Sequence, residues 1–433
     1  MSLLMKTFCD GSKLYLTVEI GLVTSGSSTG IWNTAVWDTS LWGFSTTWTD
    51  VSAWVMKFST SGNFSRDIRI WSSASATVEL NNRDGRFSAE NLLGPYVTAG
   101  LSSIRPGCGV RAKLTYGGVD YWLFTGRVDE WSDGVEEARG PRTGVATTTV
   151  TCSDEWSNLA GVPGVQISPS VGASDSFGAR ISRLLNVSGS TSPRNIDVGT
   201  STMQATDLSD DPIQAIELTC DSEGGAAYIA PDGTIVAKRK YGLVEDTRST
   251  VVQATFGDGG GSEIPWTKLD RSPLNLTNVI NLAAYTRVGG IQQVFGDIVS
   301  RSLYGDRGDK SSNIGQLICE TDAQALSLAQ WAVLAHKDPE TPIDGLSVDP
   351  QCDPSLMPTI FGLQLRDLVR VLRRPPSATS HVVDRYCFVS GIAVSVEKGV
   401  LDYGFSLASA TKYRDFAASR WDTGLWDSAL WFI

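Results

Sequence analysis

Between Val55 and Cys152 the sequence repeats one device, a short run of alternating apolar and polar residues closed by a cluster of turn formers. Ala76-Thr-Val-Glu-Leu80 alternates, and Asn81-Asn-Arg-Asp-Gly85 follows it. Gly109-Val-Arg-Ala-Lys-Leu-Thr-Tyr116 alternates again, and Gly117-Gly118 leads into Val119 to Phe124. Thr147 to Cys152 is a further β-branched run. A period of two places every second side chain on one face of a sheet, and a Gly-rich pair between two such runs marks a hairpin. Several short strands at this spacing predict a barrel or a sandwich. Composition agrees: 43 of 433 residues are Gly and only 19% are charged, which suits a turn-rich β protein better than a helical bundle.

The middle of the chain changes period. Ser174 and Asp175 are positioned to cap a helix whose apolar residues, Phe177, Ile181, Leu184 and Leu185, form one stripe. Asp211-Pro212 opens a second helix that Gly224-Gly225 ends. Ala226 to Ala230, Pro231-Asp-Gly233 and Thr234 to Lys238 read as a hairpin, and Gly257-Asp-Gly-Gly-Gly261 as a flexible joint. Asn278 to Tyr285 reads as a strand. Glu320-Thr321-Asp-Ala-Gln324 starts a helix with a capping box, apolar nearly all round and therefore buried. Strands return at Leu363–Leu365, Leu368–Leu372, Cys387–Val396 and Tyr403–Leu407.

Both ends carry one pentad, Trp-Asp/Asn-Thr/Ser-x-Leu/Val. It runs through Trp32, Trp37 and Trp42 near the start and through Trp421, Trp426 and Trp431 at the end. A period of five follows neither a helix nor a strand, so a chain of short capped turns is expected. Such rings anchor subunit interfaces, stack on sugars or fill a local core. The six Trp residues are the candidate assembly interface.

The chemistry-bearing motifs are thin. Gly26-Ser-Ser28-Thr-Gly30 has the letters of a nucleophile elbow, but the whole chain has two His, His336 and His381, to supply a base. Gly107-Cys-Gly-Val-Arg-Ala112 imitates a dinucleotide fingerprint, yet a strand pattern follows where a helix N-terminus is needed. Arg307-Gly-Asp309 reads as a polar turn. The seven Cys include no C-x-x-C pair, so neither a zinc site nor a disulfide framework is indicated, and no cofactor is expected. A net charge of −11 lacks the basic footprint of a nucleic-acid binder or of a protein adhering to an anionic membrane. No apolar run reaches the length of a signal peptide or a membrane span.

Three stretches resemble the tail-tip or baseplate hub proteins, the minor tail proteins, of long-tailed bacteriophages, especially those of phages infecting actinobacteria. The first is Val78-Glu-Leu-Asn-Asn-Arg-Asp-Gly-Arg-Phe-Ser-Ala-Glu-Asn91, continuing through Pro95-Tyr96, Leu101 and Ile104-Arg-Pro-Gly107 to Leu123-Phe-Thr-Gly-Arg-Val-Asp129. The second is Ser300-Arg-Ser-Leu-Tyr-Gly305 with the Ala-rich helix after Thr321. The third is Leu363-Gln-Leu-Arg-Asp-Leu-Val-Arg-Val371 with Phe388-Val-Ser-Gly-Ile392 and Tyr403-Gly-Phe-Ser-Leu407. In that family a Gly usually precedes Asp367; here the residue is Arg366.

The resemblance implies a mainly β fold with α+β insertions, containing two tail-tube-like β-barrel domains, a smaller α+β region and Trp-rich terminal extensions. Mapped on this chain, that is an extension at 1–54, a first barrel at 55–155, an α+β domain at 156–265, a second barrel at 266–410 with an inserted helix at 320–337, and a tail at 411–433. It implies a homotrimeric ring that adapts a six-fold tail tube to a three-fold tip and lets DNA pass at ejection; the net charge of −11 adds the expectation of an acidic lumen that repels phosphates. The implied partners are the distal tail protein ring, the tape measure protein and downstream tip or fibre proteins, in the virion tail tip. Nucleic acid would be passed without sequence-specific binding, and neither membrane insertion nor enzymatic activity is implied. The alternative is a carbohydrate-binding receptor-recognition protein of the tail that uses the Trp pentads.

Overall fold

The computed structural model describes residues 3–8, 11–23, 46–64, 71–98, 101–135, 146–161, 167–208, 211–309, 315–375 and 382–413. Eight strands of the main sheet come first: β1 (Leu3–Thr7), β2 (Lys13–Val23), β3 (Thr46–Asp50), β4 (Val55–Phe64), β5 (Trp71–Asn81), β6 (Gly109–Tyr116), β7 (Val119–Val135) and β8 (Ala146–Ser153). Their alternation is the one read in the sequence. In β6, Val110, Ala112 and Leu114 are fully buried while Arg111, Lys113 and Thr115 are not. Each such side chain contributes roughly 1.5–3 kcal/mol for a Val or Leu taken wholly out of water.

An α+β segment follows. It holds α1 (Glu155–Ala160), α2 (Phe177–Val187), β9 (Arg194–Ile196), α3 (Pro212–Glu223), β10 (Ala226–Ile229) and β11 (Ile235–Lys238). Asp211 caps α3 through Ile213 N, and Gly224 ends it with φ 73°. β10 and β11 form the expected hairpin. The N-cap of α2 is Ser176 rather than Ser174 or Asp175. Asp175 instead lies between Arg180 (3.2 Å) and Arg183 (2.9 Å), where its carboxylate is worth more than at a cap.

The closing part comprises β12 (Ala254–Phe256), β13 (Lys268–Arg271), β14 (Leu282–Tyr285), β15 (Gln293–Gly296), α4 (Ile298–Tyr304), α5 (Asp322–His336), β16 (Ile343–Val348), β17 (Leu368–Arg373), β18 (Val383–Glu397) and β19 (Val400–Ser409). The Thr321/Gln324 capping box forms as expected. Leu363–Leu365 is not a strand. Arg366 takes φ 71°, which turns the chain before β17 begins.

Fourteen strands join in one sheet, ordered β1-β2-β6-β7-β8-β5-β4-β18-β19-β16-β13, with β3 on β2 and β12-β17 on β18. The molecule is mainly β, and the sheet curls as a half-barrel with smaller helical regions beside it. The two strand-rich blocks expected at 55–155 and 266–410 are hydrogen-bonded to each other through β4 and β18, from Lys57↔Glu397 to Asn63↔Gly391. Two further pairings cross the boundaries expected from sequence. β2 runs beside β6 from Leu14↔Tyr116 to Ile20↔Val110, so residues 13–23, placed in the extension at 1–54, are hydrogen-bonded into the sheet. β12, expected in the α+β region, pairs in parallel with β17. In both cases the physical reason is burial: Leu14, Leu16, Val18 and Ile20 on β2, and Ala254 and Phe256 on β12, all lie in the main core. A second, small core lies between α5 and the β14–β15 hairpin.

Candidate assembly interface

Trp32, Trp37, Trp42, Trp421, Trp426 and Trp431 all lie outside the described residues, as do Ser28 and His381. The neighbouring Trp48 and Trp54 are described. Trp48, on β3, lies across Gly109, whose absent side chain makes room for the ring: a Cβ there would sit 2.9 Å from Cη2. The Arg111 guanidinium stacks 4.3 Å from the Trp48 ring and bonds Glu19 at 2.6 Å. Trp54 is half-buried, with Arg86 stacked 4.1 Å from its ring and Phe87 edge-on. Both rings are thus held by side chains of their own subunit, with Trp48 still 44% exposed.

The first motif, residues 78–91, is a structural device. Asn82 is buried, and its amide nitrogen donates to Ser88 Oγ (2.9 Å) and Thr148 Oγ1 (2.8 Å) while its oxygen accepts from Phe87 N (2.9 Å). Asn91 donates to Gly85 O. The Arg86 guanidinium beside Asp84 holds that carboxyl below the usual range. These residues therefore close the loop that follows β5 and tie it to β8 through Thr148.

Asp154 was not singled out by the sequence. It is 1% exposed, yet Trp71 Nε1 (3.0 Å), Ser73 Oγ (2.6 Å), Ala74 N (2.8 Å) and Trp156 N (3.0 Å) all donate to it. One carboxylate thereby caps α1 and ties it to the start of β5. Burial pushes its carboxyl up, and these hydrogen bonds pull it back in part. The signal available in the sequence was an Asp directly after a β-branched run and before Glu-Trp, an N-cap pattern.

A cleft of about 920 Å³ opens between the β10–β11 hairpin, the start of β7 and residues 361–367. Arg248 donates to both oxygens of Asp367, and Gln364 N adds a third hydrogen bond at 2.7 Å. Burial pushes the Asp367 carboxyl up against the pull of Arg248. Arg366 beside it is wholly buried, and burial lowers its pKa. Its φ of 71° is a left-handed backbone that Gly adopts freely and that an Arg adopts at a cost. The walls carry both signs, Asp120, Glu245 and Asp246 against Lys238 and Arg248, so no single ion class is selected.

The remaining motifs resolve as backbone devices. Gly107 (φ 84°) turns the chain into strand β6, so the helix of a dinucleotide site does not follow. The Gly257–Gly261 segment, expected as a flexible joint, is clamped: Arg374 bonds Asp258 and Glu263, and Gly259 N donates to Glu263. Arg307 N donates to the buried Asn281, and Leu282 bridges Gly308, which seats the Arg-Gly-Asp turn. Every described cysteine has its thiol pushed up, Cys387 to about 12 and Cys319 to about 11, both chiefly by burial. Among the described residues there is no cluster of His, Cys, Asp and Glu able to hold a metal, and no helix long and apolar enough to cross a membrane.

No family model and no curated protein matches the sequence. Solved structures do match. The 43 kDa tail protein of prophage MuSo2 from Shewanella oneidensis aligns over 92% of this chain and 97% of its own, with 13% identity and a TM-score of 0.54. A tail protein from Neisseria meningitidis MC58 aligns over 91% and 96%, with 12% identity and the same TM-score of 0.54. The chain has the fold of these tail proteins. At such identities the likeness speaks for the path of the backbone and not for any shared site.

Proposed function

We propose that this chain is a structural hub of a bacteriophage tail tip or baseplate, a homotrimeric ring through which DNA passes at ejection. The observation that carries the reading is the fold likeness to a prophage tail protein and to a second tail protein over nearly the whole of both chains. The hub-like motifs support it, because they fall on the loop over β5 and β8 and on the turn and strands at 363–407 that join the halves of the sheet. In this reading the strand-rich blocks at 55–155 and 266–410 act as two barrel equivalents per subunit, so three subunits meet a six-fold tube. The role is structural and non-enzymatic. The Trp pentads are contacts to neighbouring tail proteins, and the acidic balance lines the lumen so that phosphates slide past without binding. The test is electron microscopy and light-scattering mass of the purified chain, alone and in assembled tails. A three-fold ring is expected. A dispersed monomer in both settings sinks the reading.

A further inference from the structure

The β14–β15 hairpin buries Ala283 and Tyr285 against α5, and its other face is only partly covered, with Val294 exposed. The tip of that hairpin, its second strand and α4 together expose Val288 (51%), Ile291 (74%), Val294 (55%), Ile298 (82%), Val299 (69%) and Leu303 (67%). The helix is inverted. At about 100° per residue, Ile298, Val299 and Leu303 fall within one arc of roughly 140° that faces water. The side chain it buries is Ser300, held by Asn281 and Lys337. A surface helix of a soluble protein turns its apolar stripe the other way. The six side chains leave on the order of 600 Å² of apolar surface in water, the upper end for a monomer. That is most of the ~800 Å² each partner gives to a stable interface.

The charges around this face are already paired within the chain: Arg287 with Asp322 (2.6 Å), Arg301 with Asp306 (2.7 Å) and Lys337 with Asp297 (2.9 Å). No open charge remains among them to select a charged partner, so the match must be apolar. The same chain offers one. Leu92 and Leu93, in the loop after β5, are 57% and 98% exposed, and Leu93 is the most exposed large apolar side chain among the described residues. A projecting apolar point and an apolar face at different places on one chain make a head-to-tail contact, and repetition of such a contact gives a ring where the rotation closes and an open filament where it does not. We propose that the hairpin–helix face at 288–303 receives the Leu92-Leu93 loop of a second copy of this chain. This rests on the ring-forming reading above and supplies its contact.

The test uses the full chain and sedimentation over a concentration series. Ile298→Asp with Leu303→Asp, and separately Leu93→Asp, should each move the association midpoint up by about tenfold or more while leaving the melting temperature of the dilute monomer unchanged. As a second measurement, Leu93→Cys and Ile298→Cys are placed on separate copies in a Cys352→Ser background, because Cys352 is exposed. A short bismaleimide should join the two copies, and the background alone should give no adduct. If wild type assembles and the variants assemble equally, or if no adduct forms, this contact is wrong and the ring reading stands. If the variants self-assemble normally but drop out of tails, the face belongs to another tail protein and the proposal is overturned. A wild type that stays monomeric both alone and in assembled tails removes the ring reading and this contact together.

Discussion

In β6 the apolar residues Val110, Ala112 and Leu114 are fully buried, and the charged residues Arg111 and Lys113 alternate with them on the outer side. In β15 and α4 the apolar residues Val294, Ile298, Val299 and Leu303 are the exposed ones, while the polar Asn281 and Ser300 are buried beneath them. The two regions use similar side chains with opposite polarity. The sheet spends its apolar surface on its own fold. The hairpin–helix region folds on a polar pin, Asn281, whose amide nitrogen donates to Ser300 Oγ (3.1 Å) and Gly305 O (2.9 Å), plus the small core against α5. A region that does not need its apolar face to fold is free to offer it elsewhere.

The largest effect that would sharpen this contrast lies at Asp154. Asp154→Ala strands three donors, Trp71 Nε1, Ala74 N and Trp156 N, at the junction of β5 and α1, while the exposed Ser73 keeps Ala74 O. Each buried group so stranded costs on the order of 1–3 kcal/mol, so a loss of about 3 kcal/mol or more is expected in chemical denaturation. A loss below about 1 kcal/mol would show that α1 is not what secures this part of the sheet.

Next is the seam between the halves. A Cβ on Gly391 would lie 2.6 Å from Asn63 Cβ and 2.9 Å from Gly62 O. Gly391→Ala should therefore push β18 from β4 and cost about 2 kcal/mol, in the range of overpacked cores. Limited proteolysis should then cut between the halves sooner than in wild type. An unaltered digestion pattern and stability would mean that the seam yields without strain.

Much of this fold was legible because its physics is local. Alternation in residues 109–116, the Asp211 and Thr321 caps and the Pro231-Asp-Gly233 turn each depend on neighbours a few residues away. What was not legible depends on partners far off in the chain. β2 alternates as strictly as β6, with Leu14, Leu16, Val18, Ile20 and Leu22 all buried, and what its letters do not carry is its partner, β6, some ninety residues on. Residues 363–365 are apolar enough for a strand, yet the left-handed Arg366 and the Arg248–Asp367 pair, 119 residues apart in sequence, make them a turn. Of the candidate site, the six pentad Trp lie outside the described residues, whereas the exposed face at 288–303 went unmarked. Its residues are ordinary apolar letters, and only the fold shows which way they point.

The α+β segment gives a smaller, pH-dependent effect. The Arg183 guanidinium, ahead of the opposing burial, and then Arg180 hold the Asp175 carboxyl below its ordinary 3.8. A carboxyl whose folded value is depressed adds stability above its unfolded value and loses it as pH falls through the folded one. Asp175→Asn should therefore lower the melting temperature at neutral pH, and the gap to wild type should close below about pH 3.8. Asp154 has the opposite sign: its folded value is raised, so its ionisation costs stability as pH rises through that value. A gap at Asp175 that widened in acid would invert the assignment of charge there.

The smallest effect is the one that separates the two regions. Leu114 and Leu303 are the same residue in opposite settings, one fully buried in β6 and the other 67% exposed on α4. Leu114→Ala removes packed atoms and leaves a cavity, which costs about 2–5 kcal/mol. Leu303→Ala and Ile298→Ala remove atoms that mostly touch water, so each should stay within about 0.5 kcal/mol of wild type in the monomer. Measured at concentrations where the chain is associated, the same two substitutions should cost more, because association adds to apparent stability by mass action. Equal costs at low and high concentration would mean that nothing covers the face. A loss above about 2 kcal/mol in the monomer would mean that α4 holds its own subunit together, and the contrast between the two regions would fail.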